Sequence, residues 1–231
     1  MAFSRASFGT VLLFVGCCLG QDRVGTDPKV AIPLIQHVLS AAQVSGSLAY
    51  SGACDFHNLP QDFPKLRPIS HSGKPVEVLR QMFADDPRMR VTQERDGKIR
   101  MIETNAPQDL LNVKIRHLTF QAGVMSHGPR MALRAILMTP EVIAFRREHS
   151  IGPLAEFTGG GFSVPGDCCS GRSVMGELDD VTVAQALDYV LQTFPGFWLY
   201  ETCQDPTGER MAIFKFYANA VLSSVPTQTQ R

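Results

Sequence analysis

The chain lacks net charge: lysine plus arginine and aspartate plus glutamate each number 22, a formal balance of zero. It therefore has no global field to steer it onto nucleic acid or an anionic membrane, and neither is expected as a partner. A membrane-spanning run is also missing. The apolar stretch Thr10–Gly20 is far shorter than the roughly 20 residues a bilayer-crossing helix needs. Familiar catalytic signatures are absent too. The string "CSGRS" does not supply the G-x-S-x-G of a serine hydrolase. "TGGGF" has no following Gly-Lys-Ser/Thr to hold phosphate and metal, so it reads as a linker. "DCCSG" places Cys168 against Cys169, whereas redox dithiols separate the thiols as C-x-x-C to relieve ring strain.

What is present begins at the N-terminus. "MAFSRASFGTVLLFVGCCLGQDR" sets Arg5 before the apolar run and polar residues after it. This is the pattern of a signal peptide over residues 1–20, cut before Gln21. "FVGC" approximates a lipoprotein box, so a second reading has cleavage before Cys17 and a lipidated N-terminus; a buried N-terminal helix is the structural alternative. Removal of the leader at Gln21 leaves Cys54, Cys168, Cys169 and Cys203. An even set outside the reducing cytoplasm favours disulfides. Because a bond between adjacent Cys168 and Cys169 would strain the ring, each is expected to pair elsewhere, with Cys54 and Cys203 as partners.

Residues 28–43 carry apolar groups at helical spacing despite Pro33, and "SGSLAYSGACDF" reads as a strand. "HNLPQDFPKLRPISHSGKP" is a proline-rich loop. Pro75 suits a helix start; Val78, Leu79, Met82 and Phe83 share one face, and Pro87 ends it. "MRVTQERDGKIRMIE" is a hairpin at Asp96-Gly97. A two-residue turn would split its apolar set between faces. A three-residue loop, Arg95-Asp96-Gly97, pairs 91 with 101 and 93 with 99 and collects Met89, Val91, Ile99 and Met101 on one side, with Gly97 free to take positive φ.

Leu111, Val113 and Ile115 alternate as a strand does, and helical segments then meet at Thr139-Pro140. "SVMGELDDV" reads as a short strand. Thr182 with Gln185 makes a capping box, and Val183, Ala186, Leu187, Val190, Leu191 and Phe194 form a buried stripe ended by Pro195-Gly196. "FWLYETC" and "RMAIFKFY" follow as a hairpin across residues 205–208. The two helix-then-hairpin units share order but little residue identity, which duplication and coincidence both explain.

The strand, the capped helix "VTVAQALDYVL" and the following hairpin resemble the short N-terminal module of secretins and TonB-dependent receptors, over about residues 174–217 and more weakly over 73–103. The chain is also similar to exported proteins of soil bacteria. In the named families the module lies in the periplasm and contacts other proteins, so the resemblance implies a protein-binding role. No barrel sequence follows, and channel or receptor function is not carried over; a free-standing relative is expected.

Candidate chemistry is sparse. Cys54-Asp55-Phe56-His57 with His71 could ligate zinc, or serve a metal- or thiol-dependent hydrolase, if Cys168 or Cys169 joined. No second close pair completes the set, and disulfides are the competing use of these sulfurs. Ser126-His127 stands where serine is an ordinary cap. Asp85-Asp86 and Asp179-Asp180 lie beside helix ends, where carboxylates cap; adjacent acids diverge, whereas acid/base pairs must converge. Aromatics offer a site of another kind. Alternation sends Phe197 and Leu199 one way and Trp198 and Tyr200 the other, with Phe214 and Phe216 on the partner strand. If a helix covers one face only, Phe197, Trp198, Tyr200, Phe214 and Phe216 would supply a protein-binding surface; burial under the middle helices is the alternative.

The sequence thus predicts an α+β protein of two small helix-plus-antiparallel-hairpin units joined by a helical connector. The first unit spans 21–120, the connector 121–158 and the second unit 159–217, with a disordered tail over 218–231. The expected function is non-catalytic binding of an envelope protein or other macromolecule, in the periplasm or outside the cell, with no cofactor and no transmembrane span after processing. The rivals are the hydrolase built on Cys54, His57, His71, Cys168 and Cys169, and an accessory lipoprotein anchored through Cys17.

Overall fold

A computed structural model describes residues 27–54, 63–67, 73–120, 129–152, 173–205 and 208–219. The leader, the Cys17 anchor, the C-terminal residues 220–231, and His57, His71, Ser126, His127, Cys168 and Cys169 lie outside them. The described chain runs through helix α1 (Pro28–Ala41), strand β1 (Gly46–Ala53), helix α2 (Pro75–Met82) and the hairpin of β2 (Met89–Gln93) and β3 (Ile99–Glu103). Strand β4 (Lys114–Phe120), helices α3 (Pro129–Leu137) and α4 (Pro140–Glu148), and strand β5 (Gly176–Thr182) follow. The chain then forms helix α5 (Val183–Thr193) and the hairpin of β6 (Gly196–Gln204) and β7 (Arg210–Ala218). The class is the mixed α+β arrangement expected, and no described helix is long and apolar enough to cross a membrane.

Both predicted helix-then-hairpin orders occur, but the two units expected are not separate: both hairpins belong to one five-stranded sheet of order β2-β3-β1-β6-β7. The central strand β1 runs parallel to β3 and to β6, while β2 and β7 close the sheet as antiparallel edges. The first hairpin puts its second strand beside β1; the second hairpin puts its first strand there. The helices that precede them cover opposite faces. A duplication would repeat the strand order, so the shared helix-then-hairpin order here is not a repeated arrangement in space.

One face is covered by α1 and α2. Their buried Ile35, Leu39, Leu79 and Met82 pack with Leu48, Ile99, Met101, Phe197 and Leu199 of the sheet. The other face lies under α3 and α5, whose Leu133, Ile136, Ala186, Leu187 and Val190 join Ala49, Trp198, Tyr200, Phe214 and Phe216. Outside these helices β4 and β5 pair as a separate two-stranded ribbon, pinned by Ile115, Leu118 and Phe120. Burying a side chain of this size contributes roughly 1.5–3 kcal/mol, so a sheet filled on both faces holds most of the fold's driving force.

Local signals explain the elements. Asp27 caps α1, accepting from the Lys29 N–H at 2.8 Å. The box at α5 is reciprocal: Gln185 N–H donates to Thr182 Oγ1 at 3.2 Å, and Thr182 N–H to Gln185 Oε1 at 2.8 Å. The first hairpin has the three-residue loop. Val91 pairs with Met101 and Gln93 with Ile99, and Gly97 adopts φ +89°. Strand β4 starts later than the alternation suggested. Leu110 and Leu111 are buried from a turn that precedes it, and the strand begins at Lys114. The second unit ends later than its predicted boundary: Ala218 closes β7 and Asn219 is buried, its N–H donating to Pro195 O at 2.7 Å.

The disulfide pairing differs from the sequence expectation. Cys54 bonds directly to Cys203, with the Cα atoms 5.0 Å apart. Strands β1 and β6 run parallel with Gly52 beside Cys203, so Cys54, just past the end of β1, meets it side by side. The bridge closes a sequence separation of 149 residues. Neither Cys54 nor Cys203 is left to pair with Cys168 or Cys169.

Candidate functional site

The strand row nearest the start of β1 carries the densest polar chemistry in the sheet. Ser47 of β1 lies beside Arg100 of β3 on one side and Trp198 of β6 on the other. Ser47 is small, so the longer neighbours meet above it. The Arg100 guanidinium sits 5.6 Å from the Trp198 ring centroid and donates to Ser47 Oγ at 3.2 Å. Helix α5 crosses this row and lowers Asp188 onto it. Arg100 grips both Asp188 oxygens, through Nη1 to Oδ1 at 2.8 Å and through Nη2 to Oδ2. Trp198 Nε1–H also donates to Asp188 Oδ1, at 2.9 Å.

Asp188 directly follows Leu187 of the apolar stripe, at the stripe's margin. There a carboxylate reaches the sheet without displacing an apolar contact. Arg100 and Asp188 are each 12% exposed, so the charges are largely desolvated and depend on each other. Burial pulls the Arg100 charge down, but the hydrogen bonds it donates to Asp188 and Glu94 outweigh it and hold the guanidinium above its usual range. Glu94 receives Arg100 Nε at 2.9 Å and Nη2 at 3.0 Å.

Beside this network the sheet end opens into a cleft of about 280 Å³, lined by the α1–β1 turn, the first hairpin loop and α5. The turn contributes Gln43, which has φ +53°, and Ser45; the hairpin contributes Asp96 and Lys98; the helix contributes Asp188 and Gln192. Lys98 pairs with Asp96 and lies 3.6 Å from Asp188. Burial again opposes its charge, and the hydrogen bond to Asp96 with the field of Asp188 raises it overall. The Lys98 hydrogen bond in turn lowers Asp96.

A second polar row crosses the opposite face. Tyr50 of β1 stands between Glu103 of β3 and Glu201 of β6, both 3% exposed. Glu201 accepts from Lys215 Nζ at 3.0 and 3.1 Å; Glu103 accepts from Arg88 Nη1 at 3.1 Å and from Ser51 N–H at 2.7 Å. Burial, then the charge of Glu201, pushes the Tyr50 phenol far up. In both rows each carboxylate is held by a cation. Such pairs lock elements together and present no unclaimed nucleophile or base.

The predicted aromatic surface is not a surface. Phe197 is fully buried against α1 and α2, while Trp198, Tyr200, Phe214 and Phe216 are at most 5% exposed beneath α3 and α5. A strand enclosed on both faces is what a continuous apolar run describes. The bond between Cys54 and Cys203 takes Cys54 out of any zinc or thiol set. Among the described residues no three histidine, cysteine, aspartate or glutamate side chains sit together to hold a metal ion.

The acid pairs do not cap helices. Asp86 is buried in the loop after α2, accepting from Lys65 N–H at 3.0 Å and from Arg88 Nη2 at 2.8 Å, while Asp85 pairs with exposed Arg67. Asp179 pairs with His117 across the ribbon, Asp180 takes φ +51° within β5, and Thr182 is the cap of α5.

Compared with protein-family models, with curated proteins and with solved structures, the chain has no match. The site is therefore read from its own geometry. Sequence reasoning missed Asp188 and Arg100, although a lone acid within "ALDYVL" was a visible signal: a charge beside an apolar stripe needs a partner.

Proposed function

We propose that this chain is an exported, non-catalytic protein of the bacterial envelope that binds another protein, and that the cleft beside Lys98 and Asp188 receives a side chain of that partner. The observation that carries this reading is the state of the cleft's charges. Lys98, Asp96, Asp188 and Arg100 already neutralise one another. Catalysis needs a group poised to give or take a proton or an electron pair; recognition needs a fixed, prepaid arrangement that a partner can read. At about 280 Å³ the cleft falls at the small end of ligand sites, a size suited to one or two side chains. Glutamine and serine at its rim supply neutral hydrogen bonding.

Export is supported by the N-terminal pattern around Thr10–Gly20 and by the Cys54–Cys203 bond, which persists in oxidising compartments. The order β5, capped α5, then β6–β7 hairpin supports a relation to the periplasmic module of secretins and TonB-dependent receptors. The mass of the processed N-terminus distinguishes a chain beginning at Gln21 from a lipidated one beginning at Cys17.

Binding is tested with a photocrosslinking residue at Gln43 or Gln192 of the mature chain, mixed with envelope extract. A discrete adduct from both positions is expected, lost on Lys98→Gln and not formed from exposed Val30 on α1. No adduct, or one indifferent to Lys98, would refute the cleft as the contact.

A further inference from the structure

The cleft beside Lys98 is poor in free donors. Gln43 N–H is spent on Ser40 O at 3.0 Å and Val44 N–H on Leu39 O at 2.9 Å. Gly97 N–H goes to Glu94 O at 3.0 Å and Lys98 N–H to Asp96 Oδ1 at 3.1 Å. The side-chain amide of Gln43 donates to Ser40 O at 2.7 Å, which leaves its Oε1 as an acceptor at the rim. Lys98 Nζ bridges Asp96 of the hairpin loop to Asp188 of α5, so its charge is used in holding the two walls together. Ser45 and Gln192 can donate, but both are neutral.

Acceptors are in surplus. Pro195 stands four residues after Leu191 and has no N–H, so the ordinary helical donor to Leu191 O does not exist. Gly196, four residues after Gln192, turns its N–H to Ser45 Oγ at 3.4 Å. The last turn of α5 thus brings the negative end of a helix to the cleft, beside the turn that leaves the C-terminal end of α1.

The charges lean the same way. Asp96 and Asp188 line the cleft against Lys98 alone, and Arg100 behind them is offset by Glu94. Arg95 of the same loop is exposed and does not line it. An acidic side chain would meet like charge and spent donors, and an aliphatic one would cover carbonyls without bonding them. Val44 and Leu191 add an apolar wall, along which a methylene stem can lie while its charged head meets the rim.

We propose, resting on the reading of this cleft as the partner-binding site, that the side chain it receives is an arginine. Its guanidinium donates to Asp96, to Gln43 Oε1 and to the carbonyls closing α5, with its stem against Val44 and Leu191. A guanidinium only donates, through a planar fork of N–H groups. It therefore suits acceptors spread over a turn, a hairpin loop and a helix end better than the compact ammonium of lysine.

The full oxidised chain is titrated with acetyl-Ala-Arg-Ala-amide, and with the same peptide carrying lysine, citrulline or glutamate in place of arginine, with amide NMR as the readout. Saturable shifts at Gln43, Gly97 and Gln192 are expected with arginine, weaker ones with lysine and none with glutamate. Neutral citrulline should need about 10-fold more peptide, the scale by which a charged hydrogen bond exceeds a neutral one. At exposed position 192, Gln192→Glu should tighten arginine binding several-fold and Gln192→Lys weaken it similarly, the scale of an exposed ion pair. Opposite signs from one position cannot come from loss of folding. No shift with the arginine peptide, citrulline or lysine binding as tightly, a preference for glutamate, or equal affinities of the two Gln192 variants overturns the arginine assignment. Photocrosslinking from Gln43 then separates it from the reading beneath it. A Lys98-dependent adduct keeps the cleft as a contact for a side chain of other chemistry, and absence of the adduct removes both.

Discussion

Trp198 donates its indole N–H to Asp188 Oδ1 at 2.9 Å, joining the second-unit strand β6 to the helix that precedes it. The same carboxylate is gripped by Arg100 from the first unit. One acid thus bonds both halves of the sheet to α5. Substitution Asp188→Ala leaves the 12% exposed Arg100 guanidinium with Glu94 and Ser47 alone, and the buried Trp198 indole N–H without its acceptor. Breaking one side of a buried pair costs about 3–5 kcal/mol, and the retained Glu94 pair puts the expected loss at the low end. Urea unfolding should show that loss. The double variant Arg100→Met with Asp188→Leu should recover part of it, because an apolar pair leaves no buried guanidinium while the Trp198 indole N–H stays without an acceptor.

Thiol chemistry gives a second expectation. With the ring closed over 149 residues, removing the bond by Cys54→Ser with Cys203→Ser should lower stability by about 2–5 kcal/mol in the chain-entropy picture. Peptide mapping of the oxidised chain should recover Cys54 joined to Cys203. Recovery of either joined to Cys168 or Cys169 contradicts the pairing.

How much of this was legible in the sequence depends on the range of the interaction. The three-residue loop at Arg95–Gly97 followed from parity, because only that register gathers Met89, Val91, Ile99 and Met101 on one face. The box at Thr182 and Gln185 was equally local. What escaped depends on long-range pairing. Placing β1 between the two hairpins as a parallel centre leaves no local pattern, and without it Cys54 cannot be put beside Cys203. The aromatic run "FWLY" did carry its answer. Unbroken apolar residues mark a strand covered twice, and Trp198 is 3% exposed. The cleft was illegible for the same reason as the disulfide: Gln43, Lys98 and Asp188 come from three distant segments.

The turn into β6 makes a sharper test. A Cβ on Gly196 would fall 2.0 Å from Tyr217 O and 2.8 Å from Ala218 Cα, both backbone atoms with nowhere to move. Gly196→Ala must therefore push β7 away where Gly196 pairs with Ala218. The cost should exceed the roughly 0.5–2 kcal/mol of an ordinary cap loss such as Thr182→Ala, and equilibrium unfolding of the two variants side by side should rank them in that order.

Acid unfolding should report on Asp86. Its hydrogen bonds from Arg88 outweigh burial and hold the carboxyl down at about 2, against an ordinary 3.8. A depressed folded-state value means that the native state prefers the charged form. The contribution is therefore complete above about pH 4 and disappears as pH falls from there towards 2. At about 1.4 kcal/mol per unit it amounts to at most about 2 kcal/mol, since the partner Arg88 is 38% exposed and solvent screens part of it. The variant Asp86→Asn should be less stable than wild type at pH 7, and the gap should close on acidification over that window. A gap that stays constant between pH 5 and pH 2 would show that Asp86 acts only through its neutral hydrogen bonds to the Lys65 and Arg88 backbone.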